Sequence, residues 1–449
     1  MVESMIALDP PAVLEEAVRH LQALLRIDTT NPPGNESAAA DYLASVLRAG
    51  GYEPLLLEAE PGRANLIARY PGDGSAAPLL LYSHTDVVPA ETHKWTHPPF
   101  SGAVADGQIW GRGALDMKAM VAMELMTMLL LKRSGDALRR DVIFAATADE
   151  EIDSDAGAEW LVKHHPDLVR AEYGISEFGG YSLHFEGRRF YPVMTAEKGV
   201  CWMKIRARGQ PGHASVPKED NAVLQLARAI DRAAGKPLPL HVTPTAAEFI
   251  RRVAAALDWP QAISLRALLN PLTYRIAEAR VAGDGIADSL RASLHNTVSP
   301  TQLAAGTKVN VIPSEAVAAL DGRLLPGFDR DSFLAELQPR LGQHIEVEVE
   351  HYSPPLEVSA DTPLFGAIES GLRRYDPDGI VVPHMLTGAT DAKLFSQLGV
   401  RCYGFSPLRL RADEPFDRLI HAHDERVSVD ALAFGVQVLY ETVRDFCRQ

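Results

Sequence analysis

The chain has 449 residues, 46% of them hydrophobic, with 44 basic and 59 acidic side chains and a formal net charge of -15. That length accommodates two or three domains with ordinary cores, and the acidic balance argues against a nucleic-acid partner, which asks for a basic footprint. No apolar run reaches the ~20 residues of a membrane span, the start MVESMIALDPPAVLEEAV lacks a leader's basic and apolar regions, and three scattered cysteines build no disulfide framework, so a cytoplasmic protein with small-molecule partners and no membrane contact is expected.

Val13, Leu14, Ala17, Val18, Leu21, Leu24 and Leu25 recur at helical spacing and open the chain with an amphipathic helix. The loop TTNPPGNES leads to a second helix over 37–48. Strand-like runs follow, PLLLE, NLIARY, PLLLYS, DVIFAATA and EYGIS, the later ones separated by helices over 117–132 and 155–165. This alternation predicts an α/β fold, a catalytic domain with a mixed central sheet covered by helices. Ligands of such sheets collect beyond the carboxyl ends of the strands, which is where His84, Glu150, Glu151 and Glu177 fall. Met117, Met120, Met123, Met126 and Met128 crowd one helix, and a core-facing position is a simpler reading than an adaptable apolar pocket.

The pattern changes after Lys198. VCWMKIRARG alternates like a half-exposed strand, and a helix over 221–234, TKVNVI, EAVAALDGRLL, a helix over 331–341 and HIEVEVEHY follow. The order β, α, β, β, α, β is that of a split βαβ sandwich. A smaller α/β sandwich is therefore predicted as an insert at 196–354, dividing the catalytic domain into 1–195 and 355–449. A mainly helical excursion over 238–306 interrupts the insert, since that stretch is too long for a bare loop.

Five segments carry chemistry: SHTD at 83–86, GRGALDMK at 111–118, ADEE at 148–151, ISEFGG at 175–180 and IHAHDE at 420–425. A single acid or histidine usually sits on the surface, and ADEE alone could be an exposed acidic turn. Five such groups, each closing an apolar segment, instead suggest a compensated cluster, because buried charges must be paired or bound to metal. Imidazoles and carboxylates together suit zinc or a similar first-row divalent ion. Two histidines and three carboxylates can serve two ions if one carboxylate bridges, at the ~3.5–4 Å spacing of two-metal hydrolases. Asp116 is the natural bridge, because the glycines of GRGALD permit a close backbone path.

SHTDVVP, GRGALDMK, ADEE and IHAHDE, in that order and spread over nearly the whole chain, resemble the M20 family of zinc metallopeptidases and amidohydrolases. That family includes glutamate carboxypeptidase, aminoacylase, acetylornithine deacetylase and succinyl-diaminopimelate desuccinylase. The resemblance implies two zinc ions, with cobalt or manganese as substitutes, held by His84, Asp116, Glu151, Glu177 and His421, and it implies Asp86 and Glu150 as catalytic carboxylates. Phe178 stands where many relatives place an acid, a departure that touches substrate detail. The inserted domain is then a lid and dimerisation domain, and a homodimer is expected. Its helical excursion resembles that of carboxypeptidase S and the N-fatty-acyl amino acid hydrolases, which leans toward apolar acyl groups.

The residue chemistry agrees. Residues two apart in an extended segment face the same way, so Asp86 can accept a hydrogen bond from the His84 ring and fix its tautomer. Neighbouring Glu150 and Glu151 should point differently, leaving one to bind metal and the other free to take a proton from an activated water and hand it to the leaving amine, and the resemblance implies Glu150 for the second role. QPGHAS resembles the family element whose histidine stabilises the oxyanion, which assigns His213, although a surface histidine beside a turn is the plainer alternative. KVNVIP and LDGRLLPG resemble segments that grip the substrate carboxylate through Asn310 and Arg323, with Arg323 also able to pair with Asp321 on a sheet edge. Gly388, in GATDAK, matches a loop near the substrate backbone or is a simple turn residue. The expected activity is hydrolysis of the amide of an N-acyl amino acid or of a C-terminal residue of a small peptide. A small-acyl deacylase or desuccinylase and a non-catalytic metal-binding scaffold are the competing readings.

Overall fold

In the computed structural model, which describes residues 10–281, 286–414 and 416–449, the chain forms two units. One comprises Met1–Met194, Val358–Val382 and Thr390–Gln449, the other Thr195–Glu357 and Pro383–Ala389. Half of the amino-terminal stretch read for a leader, residues 1–9, and residues 282–285 of the helical excursion lie outside the described residues. Among the described residues no helix is long and apolar enough to cross a membrane.

The first unit is built on a mixed sheet. Strands Leu55–Glu60, Arg63–Tyr70, Val142–Thr147, Leu79–His84, Tyr173–Ser176 and Arg401–Gly404 lie side by side in that order, and Arg188–Glu197 follows with Met194 opposite Gly404. The four strands from Val142–Thr147 to Arg401–Gly404 run parallel, while the flanking pairs are antiparallel. Leu79–His84 and Val142–Thr147 are buried at every position, as expected of parallel strands covered on both faces. Their register sets His84 opposite Thr147, so both chains leave the sheet at the same level. Helix Lys118–Ser134 is buried along its first fourteen residues, and all five of its crowded methionines, Met117 included, are core.

Lys118, the last residue of GRGALDMK, is also fully buried. Its ammonium donates to the carbonyls of Leu24 (3.1 Å) and Ile27 (2.8 Å) where helix Pro10–Arg26 ends. A cation there gives the carbonyls at the helix end a charged donor and complements the helix dipole. Burial still pulls its pKa down to about 8.

The second unit has a four-stranded antiparallel sheet in the order Thr297–Ala305, Glu315–Leu324, Gly199–Arg208, Ile345–Ser353. Cys201, Met203, Ile205 and Ala207 point to one face and pack with Leu226 and Ala229 of helix Ala222–Ala234 and with Phe333 and Leu337 of helix Arg330–Leu341. Alternate residues of that strand, Trp202 and Arg208 among them, face outward. Four further helices, Pro244–Ala256, Trp259–Ala267, Tyr274–Val281 and Ile286–Leu294, fill the excursion.

One predicted element is misplaced. The strand expected at TKVNVI is mostly turn, with only Val311–Ile312 extended, and the sheet is instead completed by Thr297–Ala305, which falls within the expected helical excursion. That strand is exposed at seven of nine positions and contains Pro300. An edge strand that buries almost nothing needs no apolar alternation and tolerates proline, so its sequence carries no periodic signal.

Candidate metal centre

The parallel strands deliver their next residues to one place. His84 Nε2 lies 3.1 Å from Asp116 Oδ1 and 3.6 Å from Glu177 Oε2. His421 Nε2 lies 3.2 Å from Asp116 Oδ2 and 3.1 Å from Glu151 Oε2. Two triads result, His84 with Asp116 and Glu177, and Asp116 with Glu151 and His421, each with ligand atoms mutually within 4.8 Å. Asp116 belongs to both and presents one oxygen to each histidine. Glu150 stands beside the first triad, its Oε2 3.9 Å from His84 Nε2.

The backbone is bent to reach this arrangement. Asp149, Phe178 and His421, at or next to the ligand-bearing turns, have φ of 70°, 55° and 58°, in the left-handed region that residues other than glycine seldom adopt and that clusters at functional sites. The turn after Asp149 folds back on itself, the Ser154 N–H donating to the Asp149 carbonyl at 2.7 Å. Gly157 passes so close to the Ala148 carbonyl that a Cβ there would lie 1.8 Å from its oxygen.

Carboxylates outside the triads hold the ligand loops. Glu425, wholly buried, accepts from Arg112 Nη1 (2.7 Å) and from the backbone N–H groups of Gly113 (3.0 Å), Leu115 (2.7 Å) and Asp116 (3.1 Å). It thereby fixes the loop that aims Asp116, and Gly113 adopts φ of 85° within it. Asp86 accepts from the N–H groups of Glu150 and Glu151 (3.1 Å each) and from Asn31 Nδ2 (2.8 Å). The His84 Nδ1 lies 3.1 Å from the Asp86 carbonyl and 3.4 Å from its carboxylate. Asp86 therefore touches the imidazole through both backbone and side chain, while its carboxylate chiefly holds the turn of Glu150 and Glu151. Asp391, buried nearby, accepts from Ser154 Oγ (2.6 Å) and Thr147 Oγ1 (3.4 Å), and burial raises its pKa to about 6.

Electrostatically the cluster is a set of acids waiting for cations. Burial, then the Asp116 charge, pushes Glu177 up to about 8, and burial with Glu177 raises Glu150 well above the usual carboxylate range. Burial opposes protonation of His84, but hydrogen bonds to Asp116, Asp86 and Glu177 overcome it and hold the imidazole well above its ordinary value. Asp116 and Glu151 raise His421 to about 10. Burial would raise Asp116, yet His421 and His84 hold it low. Glu151 Oε1 is buried and accepts no hydrogen bond among the described residues. Two imidazoles, three carboxylates and an orphaned oxygen fit a pair of divalent cations better than protons.

One consequence is measurable. At pH 7 His421, raised to about 10, and Glu177, raised to about 8, hold protons that a ligand must give up, so loading the apo protein with a divalent ion should release protons. At pH 9 Glu177 has largely ionised and the release should fall by about one proton, so apparent affinity rises with pH across that interval. Titration in weakly buffered indicator solution reads this directly, and loading without proton release would contradict the assignment.

The five expected ligands, with Glu150 and Asp86, thus come together in the first unit. Of the remaining candidates, all in the second unit, His213 and Asn310 are neighbours: Gly212–His213 pairs with Val311–Ile312, and the Ala214 N–H donates to the Asn310 carbonyl at 3.1 Å. Both are exposed, and His213 Nδ1 lies 2.7 Å from Ser215 Oγ. Arg323 forks onto Asp321 through Nε (2.8 Å) and Nη2 (3.0 Å). That pair sits on an interior strand rather than the sheet edge anticipated for it, with Thr297–Ala305 on one side and Gly199–Arg208 on the other. Gly388 has room for a side chain, since an added Cβ would meet only Leu386 at 3.8 Å. Asn31, Arg63, Asp149, Asp391 and Glu425 were not singled out from the sequence. Asp149 and Asp391 lie inside ADEE and GATDAK and Glu425 closes IHAHDE, whereas Asn31 and Arg63 belong to none of the motifs read for chemistry.

A sequence profile for peptidase family M20/M25/M40 matches residues 80–445. Among curated relatives, the N-fatty-acyl-amino acid synthase/hydrolase PM20D1 of Xenopus tropicalis is 29% identical over 395 residues, covering 86% of this chain and 75% of that protein. Aminoacylase-1 of Sus scrofa is 27% identical over 421 residues, covering 92% and 91%. Among solved structures, an M20 family metallo-carboxypeptidase, Sso-CP2 from Sulfolobus solfataricus, superposes with a TM-score of 0.70 at 20% identity over 96% of this chain and 99% of that one. Human carnosine dipeptidase 1 superposes with a TM-score of 0.66 at 16% identity over 98% of each. At these identities the structural matches establish the shared fold.

Proposed function

Because this chain belongs to peptidase family M20/M25/M40, we propose that it is a metal-dependent hydrolase that cleaves the amide bond of N-acyl amino acids or of C-terminal residues of small peptides. The observation that carries the reading is the pair of triads sharing Asp116, with Glu150 beside them. Bound at His84, Asp116, Glu151, Glu177 and His421, two divalent cations would polarise the amide carbonyl and acidify water. Glu150 accepts the proton of the attacking water and returns it to the departing amine. A carboxylate beside the triads, 3.9 Å from His84 Nε2 and outside the ligand set, is placed to hold that proton between the two steps. Asp86 keeps Glu150 and Glu151 pointed apart through their backbone N–H groups.

In the same proposal His213 donates to the oxyanion, Asn310 and Arg323 grip the substrate carboxylate, and Gly388 lies along the substrate backbone. Asp321 keeps the Arg323 fork oriented and competes for it. Zinc as the resident metal, a homodimer and a cytoplasmic setting complete the reading. Elemental analysis and sedimentation of the purified protein check the first two.

The relatives named for N-fatty-acyl-amino acid hydrolysis and as aminoacylase support an N-acyl amino acid substrate. The test is a panel of acetyl-, succinyl- and long-chain acyl amino acids with dipeptides, assayed on zinc-, cobalt- and manganese-loaded protein. Turnover of acyl amino acids with larger apolar acyl groups is expected. A preference for succinyl or acetyl substrates would move the assignment to a small-acyl deacylase, and no turnover by fully loaded protein would overturn it.

A further inference from the structure

We propose that Arg63 is a positioning residue for this reaction, holding through Asp149 the turn that presents Glu150 and Glu151; the inference rests on the hydrolytic reading above. Arg63 begins the strand Arg63–Tyr70, well away in sequence from every ligand. Its guanidinium donates from Nε to Glu36 Oε2 (2.7 Å) and from Nη2 both to Glu36 Oε1 (2.9 Å) and to Asp149 Oδ1 (2.7 Å). The Glu36 side chain is completely buried, and those of Asp149 and Arg63 are only 9% and 12% exposed. Asp149 is the left-handed residue immediately before Glu150, a conformation that persists only where surroundings fix it.

The contacts form one continuous polar chain. Asp149 Oδ1 also accepts from Asn31 Nδ2 (2.9 Å), and its Oδ2 accepts from the Ala156 N–H (3.1 Å). The same Asn31 amide donates to Asp86, whose two oxygens hold the N–H groups of Glu150 and Glu151. Glu36, Arg63, Asp149, Asn31 and Asp86 thus grip the turn from both ends, and Arg63 supplies the charge that lets Glu36 and Asp149 coexist beside an already acidic site. A planar fork reaches both carboxylates at once, whereas a lysine would offer a single point of contact. None of these atoms touches a reacting group, so the residue acts on the reaction through Asp149. Small displacements matter here, because a misplacement of about 1 Å at a catalytic group can cost ~100-fold in rate.

The experiment compares wild type, Arg63→Ala and Arg63→Lys at saturating metal on a substrate that the wild type turns over. Arg63→Ala should lower kcat by ~10–100-fold, the range found for supporting partners of metal sites, with KM within about threefold. Guanidinium ion at millimolar concentration should restore part of the loss, since it can occupy the vacated site between Glu36 and Asp149. Arg63→Lys should fall between the two. A merely structural role predicts a lowered melting temperature and folded fraction, which guanidinium would worsen. Unchanged kcat in Arg63→Ala, or a loss that guanidinium does not relieve, overturns the inference. If Arg63→Ala fails to fold, Arg63→Lys with wild-type circular dichroism and a kcat lowered ~10-fold sustains it, and wild-type kcat in that variant overturns it. Wild-type protein inactive on every substrate overturns the hydrolytic reading and this inference together, whereas wild-type turnover with unaffected variants overturns this inference alone.

Discussion

Glu150→Gln should lower kcat by ~10²–10⁴-fold, the contribution of a positioned general acid and base, while leaving metal content unchanged. Glutamine matches glutamate in shape but cannot take up the proton that hydrolysis must move. Glu150 belongs to neither ligand triad, and its contact with Asp86 runs through a backbone N–H that the substitution preserves. The outcome therefore separates chemistry from assembly. Steady-state kinetics beside elemental analysis read both, and a variant with the wild-type kcat would remove Glu150 from the mechanism.

Glu425→Ala should destabilise the protein by about 3–5 kcal/mol, the cost of breaking a buried ion pair from one side. Arg112 would be left charged and buried without its partner at 2.7 Å, and the N–H groups of Gly113, Leu115 and Asp116 would lose their acceptor. Each buried donor left unmatched adds to the penalty. Because those donors belong to the loop that aims the shared Asp116, metal binding at both triads should weaken as well. Thermal unfolding of the apo protein and metal titration of the folded variant read the two effects. A variant as stable as wild type, with metal affinity intact, would show that the loop holds its shape by other means.

What the sequence discloses about this protein follows from which interactions are local. His84, Glu150, Glu151 and Glu177 could be placed because each follows a largely apolar run, and a buried parallel strand announces both itself and the residues that leave it. Asp116 stood out through its glycines and His421 through its motif. Asn31, Arg63 and Glu425 stayed hidden, because their importance lies in hydrogen bonds to residues 27 to 313 positions away. The strand Thr297–Ala305 stayed hidden for the opposite reason, since it buries too little to imprint a pattern. Arg323 could be read equally as substrate ligand or as partner of Asp321, and the structure contains the ion pair because a spacing of two on one strand puts both on the same face.

The bond network between Glu425 and the loop of Asp116 spans 309 to 313 positions of a 449-residue chain. On a ribosome, where amino-terminal segments emerge first, the five strands from Leu55–Glu60 to Tyr173–Ser176, among them the one that ends in His84, emerge long before the loop of Asp116 has its anchor. His421 arrives in the same late stretch. A nascent chain therefore lacks the second triad until His421 has emerged, and before then a cation could meet only His84, Asp116 and Glu177.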